Sequence, residues 1–97
     1  MTNEYERISK IKDIDLIITV EELSELIKAI QKLERYRIHD ELLRDDIDDI
    51  IANLKEEIVD VKIVLDRLID YVYDNDFEYY SHIVYKLTKL EEQINIY

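Results

Sequence analysis

Ile50-Ile51-Ala52-Asn53-Leu54-Lys55-Glu56-Glu57-Ile58-Val59-Asp60-Val61-Lys62-Ile63-Val64-Leu65-Asp66-Arg67-Leu68 is the stretch that decides the fold. Advanced by about 100° per residue, Ile50, Leu54, Val61, Val64, Leu65 and Leu68, with Val72 beyond them, gather on one arc. That is the period of an amphipathic α-helix and not the alternation of a strand. Glu57 falls inside the arc and Asp60 flanks it. Upstream, Val20, Leu23, Leu26, Ile27, Ile30 and Leu33 form a second apolar arc, with Glu22 inside its edge and Glu25 on its border. Carboxylates directed at a core are costly unless compensated, and a divalent cation is the simplest compensation for four at once.

Composition extends the helical reading to the whole chain. Its 97 residues include no glycine and no proline, the usual punctuation of hairpins and tight turns. The expectation is an all-α chain of about four helices forming one domain over residues 1–97. Asn3 and Glu6 make a capping box that opens a short first helix to about Lys10, with Tyr5, Ile8 and Ile11 inward. Asp13 or Asp15 starts a second helix ending near Arg35 or Tyr36. A turn is expected near His39-Asp40, and the third helix then runs to about Tyr73. Asn75 and Glu78 open the last helix, with Phe77, Tyr80, Ile83, Val84, Leu87, Leu90 and Ile94 as its apolar positions. A chain this short buries a modest share of its surface, and Val59 and Ile63 widen the third helix's apolar face. A helical bundle completed by a homodimer, or by a homotetramer, is therefore expected.

The formal charge of −11 argues against nucleic acid and anionic membrane surfaces as partners, since both are bound by basic patches. It leaves room for a nucleotide whose phosphates are bridged to carboxylates by a cation. The absence of cysteine excludes disulfides, thiolate catalysis and Cys-based zinc sites. Apolar runs such as Leu16–Ile18 are far too short to span a bilayer, and the charged N-terminus is unlike a signal peptide, so a cytoplasmic location is expected.

Acidic pairs are common in a chain with 24 acidic residues among 97, where an i, i+3 pair arises by chance with a probability of about 0.06. Asp45/Asp48 and Asp46/Asp49 read as solvated pairs of this kind. Glu22/Glu25 and Glu57/Asp60 differ in position: each makes a two-carboxylate claw at a core boundary, and two such claws on neighbouring antiparallel helices can close on a hard cation. A di-iron site would draw on Glu-x-x-His pairs, which are absent, and His39 and His82 read as structural or surface residues. An oxygen-only ligand set favours Mg²⁺, with Mn²⁺ as a substitute.

The run Ile18-Thr19-Val20-Glu21-Glu22-Leu23-Ser24-Glu25-Leu26-Ile27-Lys28, followed by Leu54-Lys55-Glu56-Glu57-Ile58-Val59-Asp60-Val61, resembles the MazG-like all-α nucleoside triphosphate pyrophosphohydrolases, whose pattern is ExxE, a spacer, then ExxD. The likeness is greatest to short single-domain members of the phage and prophage type, and extends to Lys86-Leu87-Thr88-Lys89-Leu90-Glu91. The spacer from Leu26 to Glu56 is longer than the family's, which points to an insertion around Arg35 to Asp48. The resemblance implies that Glu22, Glu25, Glu57 and Asp60 bind Mg²⁺. It also implies that a nucleoside or deoxynucleoside triphosphate is cleaved between its α- and β-phosphates, releasing a nucleoside monophosphate and pyrophosphate.

Within that reading Glu25, at the border of its arc, is the candidate general base. Lys28, three residues after Glu25, and Arg67, seven after Asp60, are candidates to touch phosphate, the competing reading being ordinary surface ion pairs. Asn53, one turn before Glu57, is a candidate contact for base or ribose. Tyr71, Tyr73, Tyr79, Tyr80 and Tyr85 read as core or interface aromatics before stacking platforms. The rival function is a non-catalytic acidic helical module that binds a partner protein or sequesters a nucleotide without cleaving it.

Overall fold

The computed structural model describes residues 3–38 and 47–96, and for residues 95 and 96 the backbone alone. The described residues contain helices and no strand: α1 (Glu4–Ser9), α2 (Asp13–Ile38), α3 (Ile47–Val72) and α4 (Asp76–Ile96). The expected turn at His39-Asp40 and the pairs involving Asp45 and Asp46 lie outside the described residues. Two compact units are formed, one by Ile11–Leu68 and the other by the residues up to Lys10 together with those from Ile69 on.

The helix ends follow their local chemistry. Asn3, in extended conformation, caps α1 by accepting the Glu6 backbone N–H at 2.8 Å, which satisfies a donor the first turn leaves unpaired. Asn75 does the same for Glu78 at the start of α4, also at 2.8 Å. The Glu78 carboxylate reaches back to the Asp74 N–H at 3.3 Å, one residue before the position a regular capping box would use. Asp13 and Asp15 open α2 and Arg35 and Arg37 close it, each charge at the end where the helix dipole favours it.

In the unit formed by α2 and α3 the helices run antiparallel. Asp15 near the start of α2 pairs with Arg67 late in α3, and Glu22, two turns on, meets Glu57 and Asp60, about two turns back. The face of α3 is the one expected: Ile50, Val61 and Val64 are buried, and Leu54, Leu65 and Leu68 half-buried, while Val72 at the end of the helix is exposed. The inner face of α2 is not. Thr19 and Ala29 are its buried residues, with Asp15, Glu22, Leu26 and Leu33 half-buried along the same stripe. Val20, Leu23, Ile27 and Ile30, expected inward, are exposed, Val20 at 62 %. Small side chains explain the difference, because a stripe with alanine and threonine lets the helix axes approach closely while bulky aliphatics hold them apart.

In the other unit, α1 presents Arg7 inward, not Tyr5 and Ile8, which are both exposed, Tyr5 at 83 %. The Arg7 side chain, 11 % exposed, places its guanidinium 3.0 Å from Asp74 and anchors this six-residue helix. Of the apolar positions read on α4, Ile83 alone is half-buried; Phe77, Tyr80, Val84, Leu87, Leu90 and Ile94 are exposed.

Candidate functional site

Three of the four singled-out carboxylates come together. Glu22 from α2 and Glu57 and Asp60 from α3 each offer an oxygen, and the three oxygens lie within 4.8 Å of one another. The i, i+3 spacing places Glu57 and Asp60 on one side of α3, and the antiparallel pairing brings Glu22 opposite them. Glu22 and Glu57 are half-buried and Asp60 is exposed, so the cluster opens to solvent on one side.

Glu57 is the member with an unpartnered buried oxygen, its Oε2. Burial holds its carboxyl above the ordinary glutamate value, and repulsion from Asp60, then Glu22, Glu25 and Glu56, adds to the rise. A buried acceptor without a donor beside two further carboxylates is an arrangement that a cation satisfies and that neutral neighbours do not. Two oxygens bound to one Mg²⁺ lie at most about 4.2 Å apart, and two bound to one Ca²⁺ at most about 5.2 Å. A spread within 4.8 Å thus admits a hard divalent cation, with a small contraction of the side chains for Mg²⁺.

Compared with known proteins, the chain matches no family model, no characterised protein and no solved structure.

The remaining candidates fall around the triplet in different ways. Glu25 is exposed and lies outside it, close enough to raise Glu57 and 3.4 Å from Lys28 Nζ, an i, i+3 ion pair on the surface of α2. Lys28 thus sits beside the cluster in contact with one of its neighbours. Asn53 is exposed, one turn before Glu57. Arg67 donates to Asp15 Oδ1 at 2.7 Å, two turns along α3 from Asp60.

Asp15 was not singled out by its sequence context. Its side chain is 13 % exposed, and its Oδ2 is the second buried carboxylate oxygen on this helix pair without a partner. Thr19, between Asp15 and Glu22, is buried and donates its hydroxyl to the Asp15 carbonyl at 2.7 Å. Asp15, Thr19 and Glu22 therefore form a polar line on the inner face of α2. Its signal in the sequence is the spacing 15, 19, 22, continued by Leu26, Ala29 and Leu33.

The tyrosines near the α3–α4 turn form their own cluster. The Tyr73 hydroxyl lies 2.6 Å from His82 Nδ1, Tyr79 packs on Tyr73 with centroids 5.1 Å apart, and Lys89 lies over the Tyr85 ring. His82 accordingly has a structural partner. Among the described residues no helix is long and apolar enough to cross a membrane.

Proposed function

We propose that the chain is a Mg²⁺-dependent nucleoside triphosphate pyrophosphohydrolase of the MazG-like all-α type. The observation that carries this reading is the convergence of Glu22, Glu57 and Asp60 from two helices, in the order and spacing of the ExxE and ExxD motifs. Glu22, Glu57 and Asp60 would hold the ion, with Glu25 joining them from the adjacent turn. When bound, such an ion would shield the triphosphate's charge and activate the attacking water. Mn²⁺ fits the same oxygen donors.

The chain's own residues supply the rest. Glu25, exposed at the rim, accepts the proton of the water that attacks the α-phosphorus, with pyrophosphate as the leaving group. Lys28 exchanges its contact with Glu25 for phosphate oxygens, which frees the Glu25 carboxylate for that proton. Arg67, anchored on Asp15, offers a second cation farther along the seam, and Asn53 offers an amide to the base or ribose.

A second copy of the chain completes the fold in this reading, a homodimer at least. Val20, Leu23, Ile27 and Ile30 on α2 and Val59 and Ile63 on α3 are exposed aliphatics at helical spacing, a surface suited to a subunit interface. The proposed setting is the cytoplasm, where such an enzyme adjusts a nucleotide pool. Incubation with a panel of ribo- and deoxyribonucleoside triphosphates and Mg²⁺, read by pyrophosphate release, tests the assignment. Saturable binding of a nucleotide without any product would replace it with a sequestering role.

A further inference from the structure

Tyr80, Ile83, Leu87, Leu90 and Ile94 follow one another at steps of three, four, three and four along α4. That is the a/d pattern of a coiled-coil seam, with Tyr80, Leu87 and Ile94 at a and Ile83 and Leu90 at d. In the structure the seam is open: Tyr80, Leu87, Leu90 and Ile94 are between 51 and 64 % exposed and Ile83 is half-buried. A groove of about 290 Å³ runs beside it, lined by Tyr73, His82, Ile83, Lys86, Leu87 and Leu90.

We propose that α4 pairs in parallel with α4 of a second copy of this chain, as a zipper separate from the aliphatic faces of α2 and α3. Flanking charges select both the occupant and the direction. With Leu87 at a, Lys86 occupies g and Glu91 the following e position. In a parallel pair, g of one helix faces e of the next heptad on the other, so Lys86 meets Glu91 of the partner subunit, and the match occurs twice by symmetry. An antiparallel pair that layers Leu87 on Leu90 sets g against g and e against e, placing Lys86 against Gln93 and Glu91 against an aliphatic e position, Val84, so that no opposite charges meet. Lys89 and Tyr85, at the outward c and f positions, engage each other and leave the seam clear. The seam from Tyr80 to Ile94 spans about two heptads within α4.

The chain has no cysteine, so a single introduced thiol reports the pairing. In a parallel zipper residue 90 faces its own copy. Leu90→Cys is therefore expected to form a disulfide-linked dimer under mild oxidation at least about tenfold faster than Thr88→Cys, one face away, because the seam raises the local thiol concentration. Leu90 is half exposed, and circular dichroism of the reduced variant checks that the helices persist. Lys86→Glu is expected to weaken self-association about tenfold, and adding Glu91→Lys to restore it. Equal oxidation rates at residues 90 and 88, or a double charge reversal that fails to restore association, would overturn the parallel zipper. Sedimentation as a monomer at every concentration would overturn it as well and leave the seam to a different occupant.

Discussion

Glu57→Gln isolates what the carboxylate triplet does to the protein with and without a cation. In chelator the wild-type triplet holds like charges within 4.8 Å and one buried oxygen without a donor. Because the Glu57 carboxyl is raised in the folded protein, the folded state holds that proton more tightly than the unfolded chain does. Its contribution to stability is therefore most favourable below the ordinary glutamate range and declines as pH rises through the raised value. The apo protein should accordingly lose stability from mildly acidic to neutral pH through this group. Glu57→Gln should flatten that decline and raise the apo Tm at neutral pH. With Mg²⁺ the order reverses. A cation at 100 times its dissociation constant adds about 2.7 kcal/mol, and at about 4–8 °C per kcal/mol for a domain of this size the Tm rises by roughly 10–20 °C. Removing the Glu57 ligand should weaken binding by about 100-fold, leaving a shift of roughly 2–3 °C at the same Mg²⁺ concentration. Melting curves by circular dichroism at two pH values, in chelator and in Mg²⁺, read all four quantities. A wild-type Tm indifferent to Mg²⁺, or an equal Mg²⁺ shift in Glu57→Gln, would refute the reasoning.

Three further outcomes follow from the packing and the ion pairs. Ile50, 2 % exposed and the most deeply buried large side chain among the described residues, should cost about 3 kcal/mol as Ile50→Ala, seen as a fall in the urea midpoint with little change in slope. Arg67→Met should cost about 1–2 kcal/mol because Asp15, 13 % exposed, loses its 2.7 Å partner, whereas Lys28→Met, from an exposed pair, should stay within about 0.5 kcal/mol of wild type while raising KM for the triphosphate. Asn75→Ala should destabilise the start of α4 by about 1 kcal/mol, measurable as faster amide exchange over the first turn.

Helix type and helix ends were legible because they are set locally. Asn3 and Asn75 cap where their side chains reach the third N–H onward, and α3 carries its core on the arc its periodicity describes. The inner face of α2 was harder to read, since hydrophobicity finds the most apolar arc, through Val20, Leu23, Ile27 and Ile30. The face turned inward is the one whose small and polar members, Ala29, Thr19 and Asp15, permit close approach and a cross-helix ion pair. The inward face of α1, expected at Tyr5 and Ile8, differs for a related reason: the charged Arg7 is its anchor because Asp74 waits for it far along the chain, at a separation no local pattern encodes. The carboxylate cluster was legible as residues, since Glu22, Glu57 and Asp60 sit at core boundaries. That Glu25 would stand at the rim with Lys28 depends on the packing angle of two helices, which composition and spacing do not fix.

The central claim, that Glu22, Glu57 and Asp60 make a metal centre that cleaves a triphosphate between its α- and β-phosphates, is tested most directly by following the products with phosphorus NMR. Wild-type protein with Mg²⁺ and a responsive triphosphate should yield nucleoside monophosphate and pyrophosphate, with both products lost in chelator and in the Glu22→Gln and Asp60→Asn variants. Diphosphate and inorganic phosphate as products, or undiminished turnover in those variants, would contradict it.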